Sequence, residues 1–332
     1  MNENIDFVVP WVDGNDDKWI EERKKNKEGF DGGDDNECRF RDWGLLKYWF
    51  RSIERNAPWM RKVHFITYGH LPSFLNPNCP KLHIVKHKDY IPHQYLPTFS
   101  ANPIELNMHR IEDLSECFVY FNDDMFLNSQ MNPSEFFIND KPCYEALEAL
   151  IQTDDIDEIY FHILLNNISV INKNYYKYTV LKNNFTKWIN LKYGKDVLRN
   201  ICLLPWKKYQ NIVNRHLPVP LLKSTMQEVW EIEYVNLDRT SSNKFRAITD
   251  VNQYLFRYWD IMRGNFVPRK CRGKAYHIGM EETGDVINDI LNGKNNMICI
   301  NDTPNIKDFE RIRDEIANAF LTRYPDKCQY EL

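Results

Sequence analysis

The stretch that decides the fold of this 332-residue chain is Cys117-Phe118-Val119-Tyr120-Phe121-Asn122-Asp123-Asp124-Met125-Phe126. Its first five residues favour β-structure and predict a buried strand. Asp123 and Asp124 follow at the carboxyl end of that strand, where open α/β sheets bind their ligands. Neighbouring carboxylates repel each other unless a cation lies between them, and hard oxygen ligands beside a phosphate suit Mg²⁺ or Mn²⁺. The alternative is a simple β-turn, because Asn and Asp are common turn residues.

The composition is that of an ordinary soluble globular protein, with 43% hydrophobic and 27% charged residues. A formal net charge of -4 gives no reason to expect a nucleic-acid partner. No apolar run is long enough for a membrane helix, and the first residues lack the build of a signal peptide, so we expect a cytoplasmic protein. The eight cysteines lack zinc-site spacing, which favours reduced thiols.

The chain opens with a predicted core strand that begins at Ile5 and is followed by Trp11, Val12, Asp13 and Gly14. A first strand that ends in a polar, glycine-containing loop is where α/β proteins place a nucleotide. The loop has neither Walker nor GxGxxG spacing, which excludes those classes of nucleotide site. The alternative is a plain Asp-Gly turn before an amphipathic helix at 17–28.

Two arginines, Arg39 and Arg41, precede a helical pattern for which Asp42 is the predicted N-cap. They could face a diphosphate, and the alternative is a solvated basic pair. Predicted strands at 63–67 and 82–85 follow the helix. The β-α-β alternation implies a parallel sheet.

A second polar cluster lies on the helix predicted to start at Asn102-Pro103. Asn102 as N-cap and Glu105 three residues later form a predicted capping box. Glu105 and His109 are four residues apart, so on one helix they would share a stripe and could reach the acids that end the following strand. For His109 the alternative is a structural histidine of the core or surface.

The pattern divides the chain into residues 1–150 as the first part of an α/β core, 151–264 as a mostly helical insertion, and 265–332 as the return to the core. The insertion carries Arg215-His216-Leu217-Pro218, a basic loop held by prolines, and Arg246, just before an N-cap predicted at Asp250. The return contains the strand 297–300, then Asp302, and a closing helix at 307–323. Asp302 could join the metal or form a turn.

These residues, taken in order, resemble the Stealth family of hexose-1-phosphate transferases. Seven segments of this chain resemble the first two conserved regions of that family: Ile5 to Gly14, Arg39 to Trp59, Thr67 to Leu75, Thr98-Phe99, Ile104-Glu105, His109-Arg110 and Tyr120 to Asp124. Arg215 to Pro218 with Phe245-Arg246 resembles the third region, and Cys299 to Asp302 the fourth. The chain departs from the family at Ser100-Ala101-Asn102 and at Gly44, where many members have Glu, which suggests a branch with its own acceptor.

The resemblance implies a glycosyltransferase-A-like α/β fold with a mostly parallel sheet, a UDP-sugar donor and a divalent metal. It also implies a bacterial enzyme of capsule or surface-polysaccharide synthesis, related to the catalytic region of the animal GlcNAc-1-phosphotransferase. The acceptor would be an oligo- or polysaccharide, lipid-linked or free, and the enzyme would work at the inner face of the cell membrane as a peripheral partner of the polysaccharide machinery. Asp124, His216, Arg246 and Asp302 match functional positions of the family.

Our hypothesis is that Asp123 and Asp124, with Asp302, hold Mg²⁺ or Mn²⁺ on the donor diphosphate, and that Arg246 binds phosphate oxygens. Either His216 or His109 would take the acceptor proton. The predicted donor-binding residues are Trp11, Asp13, Gly14, Arg39, Arg41, Asn102 and Glu105. Attack on the sugar-bearing phosphorus would release UMP. The alternatives are an ordinary metal-dependent glycosyltransferase, which releases UDP, and a non-catalytic carbohydrate-binding module.

Overall fold

Strands and helices alternate over the first part of the chain, as the sequence predicts. A computed structural model describes residues 4–28, 40–153, 155, 157–304 and 306–332. The strands are β1 (Ile5–Trp11), β2 (Val63–Thr67), β3 (Leu82–Lys86), β4 (Cys117–Tyr120), β5 (Met125–Leu127), β6 (Phe137–Ile138), β7 (Lys141–Tyr144), β8 (Val219–Leu222), β9 (Val267–Pro268), β10 (Gly273–His277) and β11 (Met297–Asn301). The α-helices are α1 (Asp17–Lys27), α2 (Leu46–Asn56), α3 (His87–Tyr90), α4 (Ala101–Leu106), α5 (Ile159–Asn174), α6 (Lys177–Trp188), α7 (Val197–Leu203), α8 (Lys223–Ile232), α9 (Tyr234–Ser242), α10 (Tyr254–Arg263), α11 (Thr283–Asn292) and α12 (Phe309–Arg323).

The central sheet has five strands in the order β3-β2-β1-β4-β8. Strands β1 to β4 pair in parallel, and β8 pairs antiparallel with β4. The carboxyl ends of β1 and β4 therefore meet at one edge of the sheet. Because Val219 lies opposite Tyr120, the residues just before β8 also lie beyond the carboxyl end of β4. The mostly parallel α/β sheet confirms the predicted fold class.

A second sheet, in the order β10-β11-β5, supports the turn between β4 and β5. Cys299 lies opposite Met125 in the antiparallel pair of β11 and β5. The Ile300 N–H donates a 2.9 Å hydrogen bond to the backbone oxygen of Asp124. The predicted closing strand is thus confirmed, but it lies in a sheet separate from the central one and holds the acidic turn in place.

Two apolar layers cover the faces of the central sheet. Phe7 and Val9 of β1 point into a layer that contains Trp49 of α2, whereas Val8 between them points into a layer that contains Trp230 of α8 and the other helices of the 151–264 region. Burial of alternate residues on opposite sides explains why β1 reads as a continuous apolar run.

Three predicted helix caps are wrong. Leu45 precedes α2 as its N-cap, and the Asp42 carboxylate instead accepts a hydrogen bond from the Gly44 N–H. The N-cap of α4 is Ser100, whose hydroxyl accepts from the Asn102 N–H, so Asn102 and Glu105 form no capping box. Helix α10 begins after Gln253, which leaves Asp250 outside it.

The predicted stripe that joins Glu105 and His109 is also wrong. Helix α4 ends at Leu106, and His109 belongs to a separate 3-10 turn, Met108–Arg110. The Asn107 side chain donates a 2.9 Å hydrogen bond to the Pro103 oxygen, and its backbone ends the helix. The four-residue spacing therefore does not place the two side chains on one helical face.

The region 151–264 is mostly helical, as predicted, but it also supplies strand β8 to the central sheet. The sequence pattern predicts a proline-held loop here and no strand. Among the described helices, none has the length and apolar character that crossing a bilayer requires.

Candidate active site

Asp124, His216 and Cys299 meet at the carboxyl edge of the central sheet. The His216 Nε2 atom lies 3.7 Å from Asp124 Oδ2, and the Cys299 thiol donates a 3.2 Å hydrogen bond to the same oxygen. One potential ligand atom from each of the three residues lies within 4.8 Å of the other two. The three residues come from the turn after β4, the segment before β8 and strand β11, so only the folded chain brings them together.

The loop that carries His216 is fixed on both sides. Arg215 forms ion pairs with Glu145 at 2.9 Å and with Asp196 at 3.0 Å. His216 itself has a φ of 52°, in the left-handed region that is uncommon for residues other than glycine. Backbone strain of this kind persists where the surrounding structure holds a functional side chain in position.

Asp302 lies close enough to Asp124 for their charges to interact. Trp43 Nε1 donates a 3.2 Å hydrogen bond to Asp302 Oδ2, and Arg41 Nη1 lies 3.6 Å from Asp302 Oδ1. Burial and the nearby Asp124 carboxylate raise the pKa of Asp302, while Arg41 opposes this shift. Asp124 Oδ1 and Asp302 Oδ1 are buried without a hydrogen-bond partner among the described residues. Two buried carboxylate oxygens without donors fit a hard divalent cation.

Asp123 lies beside this cluster, next to Asp124 in the chain. Water reaches its side chain, yet protein crowds it on most sides. Desolvation by that protein, and secondly the Asp124 carboxylate, raise the pKa of Asp123 to about 7. A bound cation would reverse this effect, because it favours the ionised carboxylates.

Glu105 lies near Arg246 and His216. Glu105 is buried and accepts a 2.9 Å hydrogen bond from the Tyr120 hydroxyl. Burial raises the pKa of Glu105 to about 6, and the hydrogen bond, Arg246 and His216 oppose the shift.

Asn102 fixes the loop that carries Arg246. Its side-chain amide donates a 2.8 Å hydrogen bond to Asp250, which in turn accepts from the Ala247 N–H at 3.0 Å. Arg246 precedes Ala247 and also lowers the pKa of Asp250 against the effect of burial. Asp250 thus has a tertiary role, in place of the predicted cap.

The end of β1 lies at the same sheet edge. Trp11 stacks on Phe65 with ring centroids 5.8 Å apart. Asp13 forms a turn, since its carboxylate accepts from the Asn15 N–H at 2.9 Å. A Cβ at Gly14 would lie 2.2 Å from the Phe40 oxygen, so only glycine permits this close approach. Arg41 reaches the site through Asp302, and Arg39 lies outside the described residues.

The structure does not group His109 with Asp124. Its ring packs against Trp230 with centroids 5.9 Å apart and is buried. Burial, and after it the charge of Arg110, lower the pKa of His109 to about 3. The structural alternative for this histidine therefore matches its surroundings.

Sequence reasoning missed the contact of Cys299 with the acidic turn. The family resemblance included this residue, but a lone buried cysteine carries no signal for a site. The pairing of β11 with β5 places Cys299 beside Asp124, and no local pattern reveals that pairing.

The fold and the site together define the class of protein. A mostly parallel α/β sheet of glycosyltransferase-A-like architecture presents carboxylates, an imidazole and an arginine at the carboxyl ends of its strands. Residues 3–31 match the family model described as Stealth protein CR1, conserved region 1, and residues 39–144 match Stealth protein CR2, conserved region 2.

Curated relatives extend this similarity over the whole chain. The capsular polysaccharide phosphotransferase WcwK of Streptococcus pneumoniae is 43% identical over 333 residues, which cover 99% of this chain and 98% of the relative. The exopolysaccharide phosphotransferase cps2G of Lactiplantibacillus plantarum is 38% identical over 99% of this chain and 96% of its own length. The receptor polysaccharide phosphotransferase WefC of Streptococcus gordonii is 39% identical over the full length of both chains. The chain belongs to the Stealth family, which confirms the predicted resemblance.

Proposed function

We propose that this protein transfers a sugar-1-phosphate from a UDP-sugar to a hydroxyl of a growing surface polysaccharide, with release of UMP. The names of its relatives support phosphotransfer onto a polysaccharide. The observation that carries the proposal is the convergence of Asp124, His216 and Asp302 at the sheet edge, with Glu105 and Arg246 near His216. The transferred group is a hexose or N-acetylhexosamine phosphate.

Asp124 and Asp302, together with Asp123, would hold Mg²⁺ or Mn²⁺. The buried oxygens of Asp124 and Asp302, which accept no hydrogen bond from the described residues, are the ligands that these cations prefer. When bound, the cation neutralises the charge of the donor diphosphate. Burial, and with it the Asp124 carboxylate, raise the pKa of Asp123 and of Asp302, and a bound cation would offset both effects.

Arg246 would bind phosphate oxygens of the donor. A guanidinium presents paired N–H donors in a rigid fork that matches a phosphate. Glu105 would hold Arg246 in position from below, and Asn102 would hold its loop through Asp250. These two residues then act on the donor through the arginine that they position.

His216 would be the general base. Its Nε2 atom faces Asp124 Oδ2, so the carboxylate orients the imidazole and stabilises it once it is protonated. As the acceptor oxygen forms its bond to the sugar-bearing phosphorus, the acceptor proton passes to His216. The bond from this phosphorus to the bridging oxygen breaks, and UMP leaves with that oxygen. The anomeric bond stays intact, so the configuration of the donor sugar is retained.

Trp11, Asp13, Gly14, Arg39 and Arg41 would bind the nucleotide end of the donor at the end of β1. Trp11 offers an aromatic face, and the close approach at Gly14 keeps the loop narrow. Arg41, which already lies 3.6 Å from Asp302, would extend the positive charge around the diphosphate.

Product analysis tests the proposal. The protein is incubated with a panel of UDP-sugars, a polysaccharide acceptor and Mg²⁺ or Mn²⁺, and the released nucleotide is separated from the donor. We expect UMP, together with a new phosphodiester in the acceptor by ³¹P NMR. Release of UDP would instead identify a glycosyltransferase that attacks the anomeric carbon. A His216→Ala variant that keeps full turnover would remove His216 from its proposed role.

A further inference from the structure

The residues 191–208 form a surface of exposed apolar and basic side chains. The exposed fractions are 91% for Leu191, 59% for Leu198, 44% for Ile201, 38% for Leu204 and 50% for Trp206. The basic residues of the segment are Lys192, Lys195, Arg199, Lys207 and Lys208, and all five are exposed. The remaining charged residue is the acid Asp196, which is paired with Arg215. We propose that this 191–208 surface docks the enzyme on an anionic lipid bilayer.

The segment is anchored firmly from beneath. Asn200 donates hydrogen bonds to the oxygens of Ala146 at 2.6 Å and Trp188 at 2.7 Å. The Tyr193 hydroxyl donates to the Lys187 oxygen at 2.7 Å and accepts from the Ala146 N–H. Because these inward side chains are satisfied and buried, the outward ones cannot turn into the core without breaking that network.

Helix α7 also has one buried and one exposed side. Val197, Asn200 and Leu203 are buried, whereas Leu198 and Ile201, three residues apart, lie on the exposed side. The side chains of Leu198 and Ile201 therefore project together from one face of the helix. An aligned, exposed apolar face of this kind indicates an interaction site.

The combination of apolar and basic side chains indicates that this surface binds a membrane. Protein interfaces are depleted in lysine, whereas segments that lie in the membrane interface combine Trp and Leu with Lys and Arg. The whole chain has a net charge of -4, yet this segment has five basic residues and one acid. Such local charge is complementary to an anionic leaflet, where each basic residue near the surface adds to the affinity.

The position of the surface suits the proposed reaction. Asp196 of the segment pairs with Arg215, the neighbour of His216, and a Cβ at Gly194 would lie 3.6 Å from Lys270 Nζ. Lys270 and Arg215 both line the groove that leads to His216. A bilayer bound at 191–208 would thus lie beside the entrance to the site, where an acceptor still attached to its lipid could enter. Docking goes beyond the proposed function and is measured without a sugar donor. The docking proposal and the proposed function can therefore be refuted independently.

Vesicle flotation tests the docking. The full chain is mixed with phosphatidylcholine vesicles or with vesicles that contain about one third phosphatidylglycerol. We expect binding to the anionic vesicles that weakens with salt, and little binding to the neutral ones. Failure to bind the anionic vesicles, or equal binding to both, would overturn the proposal.

Two sets of variants assign the binding to this surface. The triple change Leu191→Ser, Leu198→Ser and Trp206→Ser should lower the partition coefficient by about tenfold or more, and Lys192→Gln or Lys207→Gln by about fivefold each. The matched control is Ile232→Ser, Val235→Ser and Ile248→Ser, which removes apolar residues of similar exposure elsewhere and should leave binding unchanged.

Circular dichroism confirms that each variant is folded, so a loss of binding reports the surface. If the apolar triple variant keeps wild-type affinity, the proposal is wrong. It is equally wrong if light scattering finds a dimer that this triple change converts to a monomer, because a second copy of the chain would then cover the surface.

Discussion

The Asp124→Asn variant separates a metal site from an ordinary turn. The change keeps the size of the side chain and leaves the hydrogen bond from the Ile300 N–H to the backbone oxygen of residue 124. It removes one of the charges that raise the pKa of Asp123 and Asp302. Without metal, we therefore expect the variant to be at least as stable as the wild type, because mutual repulsion of the carboxylates is relieved.

With metal the order of stability should reverse. A cation present at about 100 times its dissociation constant stabilises the native state by about 2.7 kcal/mol. For a chain of this size, that corresponds to a rise in Tm of about 4 °C. The variant should lose most of this rise. Its turnover should fall by about three orders of magnitude, since about 4 kcal/mol of transition-state stabilisation is lost.

Thermal melting with and without Mn²⁺, together with UMP release, measures both effects. Asp314→Asn, which removes an exposed carboxylate on α12, is the matched control and should behave as the wild type. An Asp124→Asn protein that still gains the full rise in Tm and still turns over would refute the reasoning. So would one that is strongly destabilised without metal, because Asp124 would then be a structural residue.

Three further changes test other parts of the structure. The Asp6 carboxylate is fully buried and accepts hydrogen bonds from Arg61 at 2.6 and 2.8 Å, so Asp6→Asn should lower the free energy of unfolding, measured in urea, by about 3–5 kcal/mol. Asp113 is the exposed partner of the same arginine, and Asp113→Asn should lower the free energy of unfolding by less than about 1 kcal/mol. Equal losses in the two variants would contradict this account. Burial raises the pKa of Glu105 from 4.5 to about 6, so the stability associated with this group is present at low pH and is lost as the pH rises through about 6. Glu105→Gln should therefore be more stable than the wild type by about 2 kcal/mol at neutral pH and equally stable in acid. The variant should nevertheless be less active. Gly14→Ala places a Cβ 2.2 Å from a carbonyl oxygen, so it should shift the loop and raise the donor KM by about tenfold in steady-state kinetics, and an unchanged KM would exclude the loop from the donor site.

Local sequence patterns predicted the strands well and the caps poorly. Strands β1 and β4 are buried on both sides, so their continuous apolar runs identify them without knowledge of their partners. The caps predicted at Asn102 and Asp250 failed because these two side chains hydrogen-bond to each other, and Glu105 accepts from Tyr120. A capping rule considers only neighbours in sequence, and it cannot anticipate a better partner that the fold supplies.

Strand β8 escaped prediction for a related reason. Its sequence contains Pro220, which normally argues against a sheet because proline has no N–H to donate. Among the described residues, β8 lies at the edge of the central sheet, where no further strand pairs with one side of it and proline is tolerated. Edge position is a property of the sheet as a whole, so it cannot be read from the strand alone.

The sequence by itself determined the strands β1 to β4 and β11, that the sheet is mostly parallel, and that acidic residues follow β4 and β11. Burial and backbone periodicity leave a pattern of apolar and polar residues within each segment, and this pattern can be recognised from the sequence. Only the tertiary structure decided that His216, and not His109, lies beside Asp124, and that Cys299 completes the group. Those contacts join residues 92 and 175 positions apart, and they depend on the antiparallel registers of β8 and β11, which arise when the sheets assemble.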